Sequence, residues 1–328
     1  MTDRSGPALI VTAHGGIDVL AVEDRPAPEP GAGEVLVEIA AAGVNFIDVY
    51  QREGVYPTKP PFVGGNEGAG TVVATGDGVD AFHPGDRVAW AQFMGSAARF
   101  AALPASGLVL VPDGVDLETA AAVMLQGLTA HYLTTSTYAV QPGDVALVHA
   151  AAGGVGQLLV QLVRARGGSV VATAGGPDKC ETARALGAEH VIDYRAVDDL
   201  AGEVLRLTEG RGVHVAYDGV GKDTFDASLA SLRPRGMLAL FGAASGQVPP
   251  FDVQRLNTGG SVFLTRPTLG HHIATPEELH WRAGEVLGAV AEGSLQVAVG
   301  GRYPISEAAA AYGDLEGRRT QGKLLLIP

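Results

Sequence analysis

At 328 residues, 46% of them hydrophobic, the chain can bury sizeable cores, and its length fits two domains better than one. Its 23 basic and 36 acidic residues leave a formal charge of −13, which repels a phosphate backbone and excludes a broad nucleic-acid footprint. Cys180 is the only cysteine, which excludes an intrachain disulfide and a multi-cysteine zinc site.

The chain starts Met1-Thr2-Asp3-Arg4-Ser5-Gly6-Pro7, without the basic start, apolar stretch and small-residue cleavage site of a secretory signal, and no apolar run approaches membrane-spanning length. A cytoplasmic location with no membrane partner is expected. From Ala8 to about Leu110, short β-rich runs such as Glu34 to Ala40 alternate with Pro/Gly turns such as Glu29 to Gly33, which predicts a compact β-rich domain. At Leu117 to Tyr132 the texture changes to Ala, Met and Leu at helical spacing, and from Val145 strands alternate with helices.

In that second region the expected elements are a strand at Val145 to His149, a helix at Val155 to Arg166 and a strand at Val170 to Thr173. A helix from Lys179 to Leu186 stops at Gly187, and a strand follows at His190 to Asp193. Strands at Val213 to Tyr217 and Met237 to Phe241 flank a helix at about Thr224 to Leu232. Repeated βαβ units force a parallel sheet covered on both faces, so the fold class is α/β with a doubly wound sheet. The end of the chain is read as one long helix, about Pro276 to Glu292, and a last strand, Lys323 to Ile327, returning to the first domain.

After the first strand of the second region, Ala150-Ala151-Ala152-Gly153-Gly154-Val155-Gly156 leads into a helix. Small residues let the backbone approach a pyrophosphate, and the helix N-terminus offers free N–H groups, so Ala152, Gly153, Gly154, Val155 and Gly156 are dinucleotide-binding candidates. The next strand ends Thr173-Ala174-Gly175 with no acid to hold a ribose 2′-hydroxyl, which favours a 2′-phosphate and therefore NADPH. Lys179 can meet that phosphate or be an ordinary solvated helix lysine. Phe241, closing a later strand, joins the cofactor set. His149 ends a buried strand and reads as structural, and Cys180 as a small helix-face residue.

Seven motifs occur in order: Gly43-Val44-Asn45-Phe46-Ile47-Asp48, Gly85-Asp86-Arg87-Val88, Gln126-Gly127-Leu128-Thr129, the glycine loop, Tyr217-Asp218-Gly219-Val220-Gly221, Thr265-Arg266-Pro267 and Thr320-Gln321-Gly322. In them the chain resembles the zeta-crystallin-like quinone oxidoreductases, a zinc-independent branch of the medium-chain dehydrogenase/reductase superfamily. The resemblance implies a groES-like β-rich catalytic domain at 1–127, a Rossmann domain binding NADPH at 128–265, a returning segment at 266–328, and a cofactor cleft between the domains. It also implies that Gly175, Lys179, Tyr194 and Arg318 surround the adenosine phosphate. Alignment on Thr-Gln-Gly favours Arg318 over Arg319.

Zinc-dependent relatives place a metal-binding Cys and His where this chain has Asn45 and Asn66, and amides are poor zinc ligands. No metal is therefore expected, and the chemistry is hydride transfer from NADPH to an electrophilic quinone. The resemblance places Asn45, Tyr50, Tyr56, Gln126 and Thr129 around nicotinamide and substrate, although Tyr50 and Tyr56 could simply pack between loop and core and Asn45 could hold a turn. An enone or alkenal reductase shares these motifs, and a crystallin-like structural or RNA-binding protein is the reading of another class. A homodimer through the Rossmann domain is expected, with the apolar strand Ser261 to Thr265 at or near the pairing sheet edge.

Overall fold

Alternating apolar residues dictate the elements of the first part of the chain in a computed structural model that describes residues 4–328; Met1, Thr2 and Asp3, the first residues of the start read above, lie outside the described residues. The strands are β1 (Ser5–Val11), β2 (Leu20–Pro26), β3 (Glu34–Val44), β4 (Phe62–Val63), β5 (Glu67–Thr75), β6 (Arg87–Ala91), β7 (Phe100–Pro104) and β8 (Val109–Leu110). Helix α1 (Phe46–Arg52) follows β3, and α2 (Leu117–Tyr132) closes the segment. The βαβ region carries β9 (Val145–Val148), α3 (Gly154–Ala165), β10 (Ser169–Ala174), α4 (Pro177–Ala185), β11 (His190–Asp193), α5 (Leu200–Leu207), β12 (Val213–Asp218), α6 (Phe225–Ala230), β13 (Leu232–Leu240), α7 (Gln254–Thr258) and β14 (Phe263–Thr265). The chain ends with α8 (Pro276–Ala291), β15 (Val299–Pro304), α9 (Ala308–Glu316) and β16 (Lys323–Ile327).

Two compact units result, one of residues 1–128 with 273–328, the other of residues 129–272. In the first, a seven-stranded sheet runs β15-β16-β3-β5-β6-β8 with β7 on β3, beside a small sheet of β2-β1-β4. The last strand of the chain completes this sheet: β16 lies antiparallel on β3, with Leu324 opposite Val44 and Leu326 opposite Ala42. Leu324 and Leu326 pack with Val44, Val49, Ala311 and Tyr312 in one core, while Val35, Val72, Val88 and Trp90 build another.

The second unit has a six-stranded sheet ordered β11-β10-β9-β12-β13-β14, all neighbours parallel. Its strands are covered on both faces, which is why they read as continuous apolar runs. Strand order reverses between β9 and β12, so their carboxyl ends flank the crevice where such sheets bind ligands. The expected helix to Leu232 is shorter. Leu232 instead starts β13, and residues 233–236 loop out between its pairings with Val213 and Val215 of β12.

Candidate active site

In the first unit, strand register assembles a buried polar cluster. β3 pairs Ala42 with Gly68 of β5 and Val44 with Leu324 of β16, so the next residues along bring Glu67 and Lys323 beside Gly43 and Asn45. Lys323 Nζ is paired with Glu67 Oε2 and donates to Asn45 Oδ1 at 2.7 Å. Asn45 Nδ2 in turn donates to Glu67 Oε2 at 2.9 Å and the Gly43 carbonyl at 3.2 Å, and Glu67 Oε1 accepts from Leu125 N at 2.6 Å. Lys323 is 1% exposed and Glu67 0%. A Cβ on Gly43 would overlap the Glu67 carboxylate, so only glycine leaves room for the pair.

Asn45 is also the N-cap of α1, with Asp48 Oδ2 accepting from its backbone N at 2.9 Å. Asp48 Oδ1 accepts from Asn66 Nδ2 at 2.6 Å, and Tyr312 donates to Oδ2 at 3.1 Å. Burial raises the Asp48 carboxyl to about 6 despite these donors and the nearby Lys323 charge. A folded value above the unfolded 3.8 means that the folded state holds the extra proton between those values, so this group's contribution to stability falls as pH rises from about 4 to about 6. The stability difference between Asp48→Asn and the parent should therefore shift towards the variant by on the order of 2–3 kcal/mol across that window. Urea titrations at fixed pH values measure it, and a flat difference would contradict the burial argument.

Next to this cluster, Tyr50 on α1 and Tyr56 in the following loop meet edge to face, ring centroids 5.6 Å apart. The Tyr50 carbonyl accepts from the backbone N of Val55 at 2.8 Å and of Tyr56 at 3.2 Å, which fixes the loop against the helix. Tyr50 is half-buried and Tyr56 exposed. Gln126 is half-buried on α2, and Thr129 is buried three residues further along the same helix.

In the second unit, β9 ends in a tight turn with Ala150 at φ 49° and Gly153 donating to the Ala150 carbonyl at 2.8 Å. Gly153 caps α3 without a side chain, leaving first-turn N–H groups uncovered by any capping side chain. A Cβ on Gly156 would overlap the Ala150 carbonyl, so the helix lies as close to the turn as backbone permits. Such a cradle suits the diphosphate of a dinucleotide. The neighbouring turn after β12 is shaped by Asp218, which accepts from Val220 N at 2.8 Å, Gly221 N at 3.0 Å, Thr224 Oγ1 at 2.8 Å and Ser228 Oγ at 2.7 Å. The Phe241 ring lies over Gly219, where a Cβ would come within 2.9 Å of it.

At the end of β10, Gly175 sits against the Tyr194 hydroxyl, and Lys179 lies on the first turn of α4. Burial and the charge of Arg195 hold the Lys179 ammonium below the usual lysine range. His149 is buried between Thr173 Oγ1 and Ser228 Oγ, both 2.9 Å away, which gives it structural partners.

Residues 31–113 match the alcohol dehydrogenase GroES-like domain and residues 154–280 the zinc-binding dehydrogenase family. A quinone oxidoreductase of Pseudomonas aeruginosa is 44% identical over 318 residues, covering 96% of this chain and 98% of that one. The chain belongs to the quinone oxidoreductase family. A further relative of this oxidoreductase is the 2-haloacrylate reductase of a Burkholderia species, 40% identical over 98% of both chains. Among solved structures, a mycobacterial protein complexed with NADPH is 51% identical, with a TM-score of 0.95 over 98% of this chain and 100% of that one. The two-domain α/β architecture, with a Rossmann sheet in one unit and a GroES-like fold in the other, is thus that of the quinone oxidoreductases.

Among the described residues no three His, Cys, Asp or Glu side chains gather into a group that could hold the zinc in the second family's description. Asn45 and Asn66 stand at the expected positions, and the Asn45 amide is engaged by an ammonium group, whose charge opposes a second cation. Lys323 and Glu67 were not singled out from the sequence. Their signal was a lysine opening the apolar run Leu324 to Ile327 and a glutamate within Gly65-Asn66-Glu67-Gly68.

Proposed function

We propose that the chain reduces quinones at the expense of NADPH, by direct hydride transfer and without a metal. The observation that carries this reading is the glycine-built turn at Ala150 to Gly156, together with the end of β10, where Ala174 stands in place of an acid, Gly175 meets the Tyr194 hydroxyl and Lys179 follows on α4. NADPH supplies the hydride, and a quinone is electrophilic enough to accept it without a Lewis acid. The first-turn amides around Ala152, Gly153, Gly154, Val155 and Gly156 receive the diphosphate, while Gly175, Lys179, Tyr194 and Arg318 recognise the 2′-phosphate. Arg318 takes that role by its place before Thr320-Gln321-Gly322, while the Arg319 guanidinium lies on Asp314 at 2.8 Å and the Gly313 carbonyl at 3.0 Å. Phe241, Gln126 and Thr129 flank the nicotinamide, and Tyr50 and Tyr56 offer aromatic faces and hydroxyls to a flat carbonyl compound. Both N–H bonds of the Asn45 amide are taken within the protein, so its part is to accept through Oδ1 or to hold the start of α1.

The related 2-haloacrylate reductase favours a second reading, reduction of an activated alkene. Steady-state assays of NADPH oxidation with quinones and enones separate the two. Higher kcat/KM for quinones supports the first reading, and turnover of enones alone would replace it. Chelator treatment is expected to leave activity unchanged; stoichiometric zinc lost together with activity would contradict the metal-free mechanism.

The same reading places the chain in the cytoplasm, acting on a small molecule with no nucleic-acid partner; among the described residues no helix is long and apolar enough to cross a membrane. It divides the work as a catalytic domain at 1–127, a cofactor domain at 128–265 and a returning segment at 266–328. It also includes a homodimer formed at β14, which pairs with β13 on one side and leaves Phe263 57% exposed. An open apolar edge is a pairing surface unless covered. Light scattering is expected to give twice the 33.6 kDa chain mass; a monomer throughout the micromolar range would exclude this interface.

A further inference from the structure

The strand end that follows β10 carries a second cation beside Lys179. β10 and β11 run parallel with Ala174 opposite Asp193, so Gly175-Gly176 and Tyr194-Arg195 leave the sheet side by side. One carboxylate oxygen, Asp193 Oδ1, accepts from Gly176 N at 3.1 Å and Arg195 N at 3.0 Å, tying the two turns together. Tyr194 N donates to the Ala174 carbonyl at 3.1 Å. A Cβ on Gly175 would lie 2.5 Å from the Tyr194 hydroxyl and 3.0 Å from Arg195 Nε, and one on Gly176 would lie 3.3 Å from Arg195 Nη1. The guanidinium therefore lies across both glycines with the hydroxyl beside it.

We propose that Arg195 is a further determinant of cofactor selectivity, its guanidinium closing the 2′-phosphate subsite that Lys179 and Tyr194 begin. This rests on the NADPH reading above. The Asp193 carboxylate is taken up by two backbone amides, so it reaches Arg195 through its charge and through the Arg195 backbone N–H. Burial first, and then the charge of Arg195, hold the Lys179 ammonium below its usual range, which places the two cations within each other's field. Two cations near one glycine pair suit a polyanion, and a phosphate monoester carries about 1.5 to 2 negative charges at neutral pH. Arginine suits this position because its planar fork can meet two phosphate oxygens at once, which lysine cannot do. Glycines at 175 and 176 keep the approach open, since any side chain there would displace the hydroxyl or the guanidinium.

The test is fluorescence titration of the intact protein with NADPH and NADH for the parent, Arg195→Ala, Arg195→Gln and Lys179→Ala. Arg195→Gln keeps much of the side chain's stem and a polar end, and removes the charge and the guanidinium fork. The expected result is a roughly tenfold to hundredfold weaker NADPH Kd for both Arg195 variants, with NADH affinity unchanged. NADPH affinity kept in both Arg195 variants but lost in Lys179→Ala would overturn the Arg195 assignment and leave the cofactor reading standing. Equal losses for the two cofactors would also overturn it, showing that the guanidinium stacks on adenine or braces the turn. Equal parental affinities for NADPH and NADH would remove the cofactor reading and the assignment together.

Discussion

Lys323→Met is expected to lower the unfolding free energy of the unit that contains it by about 3–5 kcal/mol. The variant leaves the Glu67 carboxylate fully buried with only the Asn45 amide and the Leu125 N–H as donors. A buried ion pair adds little over an apolar pair of the same shape, because desolvation offsets attraction. Removing one partner, in contrast, leaves an uncompensated charge. The double variant Lys323→Met/Glu67→Gln should therefore recover most of the loss, since a neutral amide still fits beside Asn45. Urea denaturation of the single and double variants measures both values. If the single variant stayed within about 1 kcal/mol of the parent, the pair would be solvated, and its part in fixing Asn45 would fall.

The same pair shows where sequence reading stops. The Rossmann strands were legible because each is a short, β-branched run buried on both faces, and β11 and β16 were bounded to the residue: His190 to Asp193 and Lys323 to Ile327. Local pattern also exposed the glycine turn, whose chemistry is contained in seven consecutive residues. Lys323, Glu67 and Asn45 become one site only through the register of β16 on β3 and of β3 on β5, which joins residues 278 positions apart in sequence. Periodicity carries no register between distant strands. β15 and α9 went unread for a related reason: Val299 to Pro304 carries two glycines and a proline, and Ala308 to Ala311 is too small to show an amphipathic face, so tertiary packing decides both. The apolar run Ser261 to Thr265 did mark the sheet edge, but only Phe263–Thr265 pairs, because Ser261 takes a left-handed backbone at φ 56°. Arg195 directly follows Tyr194, and nothing in the local sequence assigns it a role. Its position over Gly175 and Gly176 depends on the conformation of two turns, both pinned by Asp193.

Lys179→Ala is expected to weaken NADPH binding roughly 10- to 100-fold, from the loss of one charge-assisted contact of about 1.5–3 kcal/mol, and to leave NADH binding nearly unchanged. NADH has no 2′-phosphate, so it lacks the group that the ammonium would meet. The side chain is half-buried on the first turn of α4, close to the strand end where NAD-selective folds place an acid and this chain has Ala174. Burial and Arg195 already disfavour the lysine's charged form. A bound phosphate reverses that balance, because an adjacent anion raises an ammonium pKa. NADPH binding should thus draw a proton onto Lys179 wherever the free protein has begun to lose it, and affinity for NADPH should fall at alkaline pH more steeply than affinity for NADH. Arg318→Ala should also weaken NADPH selectively, but its binding should retain the alkaline pH dependence, since a guanidinium does not titrate there. Isothermal titration of both cofactors from neutral to alkaline pH separates these cases. Parallel pH profiles for NADPH and NADH, or equal losses of both cofactors in Lys179→Ala, would show that the ammonium braces the turn rather than reading the phosphate.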